Sequence, residues 1–300
     1  MQCQKHIQKG EKIMLNVKLY LLALYGLLFK FTHNFKSNIL TIDQTIKKMQ
    51  EGNSIIRFGD GEFALLDDCN IQNYQESNQR LKIGLEEVID STDEGLLICV
   101  PDTINNLKAY KFNSKIIWLS KIGRNYKQYL KYFHRERLYG NAFVSRPYMI
   151  YKNKDKCDEW FKAILNLFYD KDIVLIEGIY SRSGVGNDLF KEARSVKRIL
   201  CPNKNAFSKY DEILKEALKI SQNKLILVAL GPAGKVLAYE LFKKGYMVWD
   251  IGHIDSEYEW YLRECTDKTI IPFKHTAESI DVNIGECTDE NYINSIITII

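Results

Sequence analysis

No C-x-x-C pair occurs among the seven cysteines (Cys3, Cys69, Cys99, Cys157, Cys201, Cys265, Cys287), which are odd in number and widely scattered. No histidine stands at finger-like spacing from them, so a disulfide framework and a zinc cluster are both excluded, and a reducing cytoplasm is the expected compartment. The five histidines form no H-x-x-x-H pair and no G-x-S-x-G occurs, which removes the zinc-peptidase and nucleophile-elbow hydrolase classes. Repeats and low-complexity segments are absent. Net charge is scarce too, +4 over 300 residues, and it sits at one end. Lys5, Lys9, Lys12, Lys18, Lys30 and Lys36 face Glu11 alone in the first 40 positions, leaving the rest nearly neutral. A nucleic-acid partner gains no support from that distribution.

A long apolar run is also missing. Residues 19–29, bounded by Lys18 and Lys30, would make a helix of about 17 Å against about 30 Å of hydrocarbon. Lys30-Phe31-Thr32-His33 follows where a signal peptide would carry small residues. The segment is expected to pack on the domain or a partner chain, to lie at a membrane surface, or to span the bilayer, which makes residues 14–31 a candidate peripheral membrane contact at the inner face of the cell membrane and leaves homo-oligomerisation open.

What is present is a chain with 46% apolar residues, enough for a full core, organised as a basic and apolar arm (1–40), a main domain (41–280) and a tail (281–300). Thr41 to Gln44 make a capping-box pattern with Gly52 as the stop. Apolar runs at 54–58, 96–100, 116–119, 173–176, 196–201, 225–230 and 247–251 alternate with helix-like segments such as 81–89, 158–168, 211–220 and 235–242. That alternation predicts an α/β fold, a mainly parallel sheet with helices on both faces. Pro101, Pro202 and Pro232 each follow a strand-like run, at the edge where open α/β sheets place their ligands. The stretch 121–151, rich in Tyr, Arg and Lys, is a candidate inserted subregion.

Polar and glycine residues concentrate after the runs. Arg57-Phe58-Gly59-Asp60-Gly61-Glu62 sets two carboxylates two residues apart between glycines, where both can converge on one point. Two hard oxygen ligands suit Mg²⁺ or Mn²⁺, and Arg57 offers a planar fork to a phosphate. The plainer alternative is an ordinary turn in which Asp60 caps a helix. In Glu177 to Asp188, glycines 184 and 186 precede an expected helix at Leu189; such an entry suits a phosphate, with Arg182 adding charge, while Asn187 and Asp188 could simply cap. Leu189 stands where a dinucleotide fingerprint needs glycine. Gly231-Pro232-Ala233-Gly234-Lys235 is not a P-loop, because Ala229 and Val236 break that spacing, but it is a tight turn with Lys235 as a candidate diphosphate contact. Gly252-His253-Ile254-Asp255-Ser256-Glu257-Tyr258-Glu259-Trp260 offers general bases and stacking aromatics, though His253 could be a satisfied core residue. Glu278 is a further candidate base, and Asn205, in the 201–207 loop, a candidate contact to a nucleobase edge.

Taken together, the motifs at 57–63, 181–190, 231–235 and 250–260 resemble the GT-D fold glycosyltransferases, first met as a domain of unknown function and including glucosyltransferases that extend glycans on bacterial adhesins. The resemblance runs from about Thr41 to Glu278. It implies a Rossmann-like domain of GT-D type, a nucleotide-sugar donor such as a UDP-sugar, a glycan or glycoprotein acceptor, and Mn²⁺ or Mg²⁺ held through a D-x-E motif at Asp60 and Glu62. Arg57, Gly59, Arg182, Gly186, Asn187, Asp188, Asn205, Gly231, Lys235 and His253 are then the candidate donor contacts, and Asp255, Glu257 and Glu278 the candidate bases for an inverting reaction. A metal-dependent phosphoesterase, or a non-catalytic scaffold that binds sugar nucleotides or glycans, uses the same residues and stays open as an alternative.

Overall fold

Hydrophobic period decides the architecture. The computed structural model describes residues 2–33, 36–67, 74–276 and 284–300, with side chains from residue 17 onward. In chain order the elements are α1 (Gln2–Thr32), β1 (Asn38–Ile39), α2 (Ile42–Gln50), β2 (Ser54–Arg57), α3 (Asp60–Leu66), α4 (Gln79–Asp90), β3 (Leu96–Val100), α5 (Phe112–Tyr132), β4 (Leu138–Asn141), α6 (Cys157–Leu167), β5 (Asp172–Gly178), β6 (Ser195–Cys201), α7 (Tyr210–Ala217), β7 (Leu225–Ala229), α8 (Gly231–Lys243), β8 (Met247–Asp250), α9 (Ile254–Leu262), α10 (Glu290–Ser295) and β9 (Ile296–Ile299). All nine strands pair in parallel, in the order β1-β4-β3-β2-β8-β7-β5-β6-β9.

Alternate strand residues serve two cores, as the pleat requires. Ile56, Ile98, Val174, Ile226 and Val248 join one cluster with α3, α4, α5, α7 and α8. Ile55, Leu97, Ile173, Leu227 and Trp249 join the other with α2, α6 and α9. The chain leaves β2 in one direction for β3 and β4 and later returns on the other side through β5 to β8. The switch point is therefore the β2/β8 junction, where a crevice opens beyond the strand ends.

Three expectations need correction. The run 116–119 is helical, not a strand: Trp118, Leu119, Ile122, Gly123 and Tyr129 are buried at the helical period, along α5. The stretch 121–151 is no insertion, since it supplies the second half of α5 and β4, which lies between β1 and β3. No helix begins at Leu189. Residues 187–192 turn back directly to β6, with Leu189 and Phe190 buried in the second core and Asn187 Oδ1 accepting from Leu189 N at 3.0 Å. Residues 296–299 of the tail pair with β6 and form the sheet's last strand.

α1 lies along α5 at backbone distance. A Cβ added at Gly26 would stand 2.0 Å from Leu119 O, and one at Gly123 would stand 2.2 Å from Leu22 O. Lys30 Nζ reaches the carbonyls of Thr103 (3.0 Å) and Ile104, which fastens the helix to the segment after β3.

Candidate active site

The turns after β2, β3, β5, β6, β7 and β8 line one cavity of about 490 Å³, a size suited to a small-molecule ligand. Pro101, Pro202 and Pro232 all stand on its rim. Its base is a buried charge chain across the switch point. The Asp250 carboxylate, 2% exposed, accepts from Arg57 N (3.0 Å), Arg57 Nη2 (3.0 Å) and Lys235 Nζ (2.9 Å), and Lys235 Nζ also stands 3.6 Å from Glu62 Oε1. Burial pushes the Asp250 carboxyl up, but Arg57 and Lys235 outweigh it and hold the group below the usual carboxylate range. Gly252, at φ +44°, is what admits Arg57: a Cβ there would lie 1.9 Å from Arg57 Nη2.

Asp60 and Glu62 both line the cavity from the first turn of α3. Gly59 caps that helix, and Glu62 Oε2 accepts from Gly59 N at 2.8 Å. Asp60 pairs with Lys121 Nζ of α5 at 2.9 Å. Burial raises the Asp60 carboxyl; Lys121, by charge and hydrogen bond, more than reverses this, so it stays ionised below its ordinary value.

Of the other residues singled out by sequence, Asn205, Gly231, His253 and Asp255 reach the cavity with Arg57, Gly59 and Lys235. Gly231 has φ +53°, and a Cβ there would press into the Tyr74 ring at 2.4 Å. Asn205 accepts from Gln75 Nε2 (2.7 Å) and donates to Glu76 (3.0 Å), which closes that rim. Asp255 is enclosed by donors: Lys274 Nζ at 2.8 Å, Gly184 N at 2.7 Å and Asn187 Nδ2 at 2.8 Å.

The remaining candidates lie elsewhere. Arg182 is buried and spends its guanidinium on the carbonyls of Phe273 (2.8 Å) and Gly285 (2.7 Å), outside the cavity lining. Gly186 and Asn187 border a separate hollow beside Arg198 and Tyr292, while Asp188 accepts from Tyr258 Oη at 2.7 Å. Glu257 is fully buried, accepting from Tyr148 N (3.0 Å) and Met149 N (2.9 Å), and burial raises its carboxyl above the ordinary value. Glu278 lies outside the described residues. Trp118, Lys121, Phe143, Arg146, Gln75 and Lys268 also line the cavity and are not among the residues the sequence motifs single out. The Tyr, Arg and Lys richness of 121–151 was the available signal for two of them, Lys121 and Arg146.

The chain's relatives point the same way as this geometry. The family model "Glycosyltransferase GT-D fold" matches residues 55–279. A Streptococcus gordonii protein called "Probable glycosyl transferase Gly" is 40% identical over 263 residues, covering 87% of this chain and 38% of that one. "Glycosyltransferase GlyD" of Streptococcus pneumoniae serotype 4 is 39% identical over 263 residues, covering 85% and 32%. The chain thus spans about a third of the length of these curated relatives. A solved structure of a highly conserved domain of unknown function 1792, described as having a distinct glycosyltransferase fold, superposes with a TM-score of 0.85 at 37% identity over 94% of this chain and 98% of that one. A Streptococcus sanguinis structure described as a new glycosyltransferase of the same domain type gives 0.83 at 38% identity over 88% and 99%.

Proposed function

From the premise that this chain belongs to the glycosyltransferase GT-D fold family, we propose that it transfers a sugar from a nucleoside-diphosphate sugar, in the first instance a UDP-sugar, to a glycan or glycoprotein acceptor of bacterial surface glycan synthesis, with the help of a divalent cation. The observation that carries this reading is the meeting of Asp60, Glu62, Arg57 and Lys235 in one cavity at the β2/β8 switch point.

The donor set fits Mn²⁺ or Mg²⁺. Asp60 and Glu62 present hard carboxylate oxygens, both sited where cationic groups already approach them, Lys121 at 2.9 Å and Lys235 at 3.6 Å. Among the described residues no group of three or more His, Cys, Asp or Glu gathers to enclose a metal. An ion held through two carboxylates alone keeps positions for water and substrate phosphates, the coordination these cations favour. When bound, such an ion neutralises charge on the leaving diphosphate.

The chain's own residues supply the rest. The lining carries five cationic side chains (Arg57, Lys121, Arg146, Lys235, Lys268) against three carboxylates (Asp60, Glu62, Asp255), an excess that suits a diphosphate as the glycosidic C–O bond breaks. Asp250 holds Arg57 and Lys235 in place before any ligand arrives, so little reorganisation is needed. Trp118 and Tyr74 offer aromatic surface to a base or sugar ring. Asp255, engaged by Lys274, Gly184 and Asn187, has few lone pairs left to take a proton, so we assign it to positioning the wall rather than to general-base catalysis.

The test is a screen of UDP-, GDP- and CMP-sugars with and without Mn²⁺, followed by Asp60→Ala. The expected result is metal-dependent consumption of one donor that falls to background in the variant. Consumption of no donor, or release of inorganic phosphate without sugar transfer, overturns the reading.

A further inference from the structure

α1 presents an apolar surface to solvent. Val17, Tyr20, Leu21, Leu24, Leu28 and Phe31 are 53%, 55%, 62%, 54%, 52% and 86% exposed, and among the exposed positions 17–32 only Lys18 and Thr32 are neither aliphatic nor aromatic. A helix that faces water carries polar residues there. The helix cannot roll to hide this stripe, because its other side is committed: Gly26 meets Gly123 at backbone distance and Lys30 is tied to the carbonyls of Thr103 and Ile104.

We propose that the outward face of α1 seats this protein on an anionic lipid surface, with the helix lying in the interfacial plane. Charge selects that occupant. The first 40 residues carry six lysines against one glutamate, and with Lys30 tied inward five of the six remain; α5, on which α1 packs, adds exposed Arg124 and Lys127. An apolar stripe beside a basic excess complements acyl chains below anionic headgroups. A second copy docked on the same stripe would instead bring two lysine-rich arms together. No described helix is long and apolar enough to cross a membrane, so the contact lies on the surface. α5 also walls the cavity through Ile117, Trp118 and Lys121, which places the site's flank about one helix diameter, ~10 Å, from the proposed bilayer surface.

The full chain is sedimented with phosphatidylcholine vesicles, with and without phosphatidylglycerol, at low and high salt. It should pellet with the anionic vesicles, bind neutral ones at least about tenfold more weakly, and lose most binding at high salt. L21E/L28E, which alters only outward side chains, should abolish pelleting while circular dichroism stays unchanged. Should that variant misfold, Phe31→Trp gives a second readout: its emission should shift to the blue on adding anionic vesicles. Absence of pelleting with anionic vesicles overturns the proposal. So does a salt-resistant dimer of the wild type that L21E/L28E dissolves, which would assign the face to a second copy.

Discussion

Replacing Asp250 with Asn should destabilise the protein as a whole while leaving its shape almost unchanged. The carboxylate is 2% exposed and, among the described residues, is the one negative charge in hydrogen-bond contact with both Arg57 and Lys235; Glu62, at 3.6 Å, is a second anionic neighbour of Lys235. The amide keeps one acceptor, but its NH₂ must turn toward donors, and two buried cations lose their counter-charge. Breaking a buried pair from one side costs about 3–5 kcal/mol, because the remaining charge is stranded in low dielectric. In a chain of 300 residues each kcal/mol moves the melting temperature by roughly 1.6 °C, so thermal unfolding followed by circular dichroism should show a fall of at least about 5 °C. Lys235→Met placed on top of Asp250→Asn should recover part of that loss, since it removes one stranded cation, and the double-mutant cycle should show a coupling above about 1 kcal/mol. The sign with pH follows from the depressed folded value. The stabilisation is present above the ordinary carboxylate range and is lost as pH falls through the folded value, so the gap between wild type and Asp250→Asn should close in acid. A variant melting within about 1 °C of wild type would show that Arg57 and Lys235 need no partner here, and the description of a preset cavity base would be wrong.

Two other perturbations follow from the packing. Gly26→Val would drive side-chain atoms into Leu119 O, 2.0 Å from the ideal Cβ position, and should prise α1 from α5 at a cost of about 1–3 kcal/mol; limited proteolysis should then cut within the first 33 residues while the remaining domain stays resistant. At Asp102, burial raises the carboxyl from 3.8 to about 6 despite the Asn141 amide and the Lys30 charge, so its contribution to stability is fully present below the unfolded value and is lost as pH rises through about 6. Asp102→Asn retains an acceptor for Tyr110 Oη, and should therefore gain in melting temperature relative to wild type at pH 7.5 compared with pH 4; equal differences at the two pH values would refute the shift.

Most of the sheet was legible because six of its nine strands are apolar runs that carry their own periodicity: β2, β3, β5, β6, β7 and β8. The other three were not. β1 has two residues, β4 reads Leu-Tyr-Gly-Asn, and β9 lies in the tail; each earns its place by pairing with a neighbour already formed, a non-local cause that no window of sequence contains. The same distinction holds at the site. Asp60, Glu62 and Lys235 were visible because a glycine-flanked charge directly after a strand must stand at the strand's carboxyl edge. Lys121 and Arg146 come from a helix and a loop far along the chain, and Asp250, as the last residue of a strand, looked like part of an apolar run. Only the β2/β8 adjacency makes it the partner of Arg57.

Each carboxylate of the acidic segment 253–259 is engaged by the loops around it. Asp255 receives Lys274, Gly184 N and Asn187; Glu257 receives Tyr148 N and Met149 N; Glu259 receives Asn187, Lys274 and Arg263. On α9, Asp255 and Glu259 stand four residues apart on one face and share Lys274 and Asn187, while Glu257, two residues from each, points toward Tyr148 and Met149. One short helix thereby fixes the 182–188 turn, the 142–149 loop and the 271–276 segment relative to one another. Burial favours the neutral form of Glu257, and for Glu259 burial is outweighed by Lys274 and Asn187, so the two carboxyls are tuned in opposite directions by their neighbours. Asp60 and Glu62, by contrast, line the cavity from the first turn of α3, where Gly59 caps the helix and Lys121 and Lys235 approach them at 2.9 and 3.6 Å.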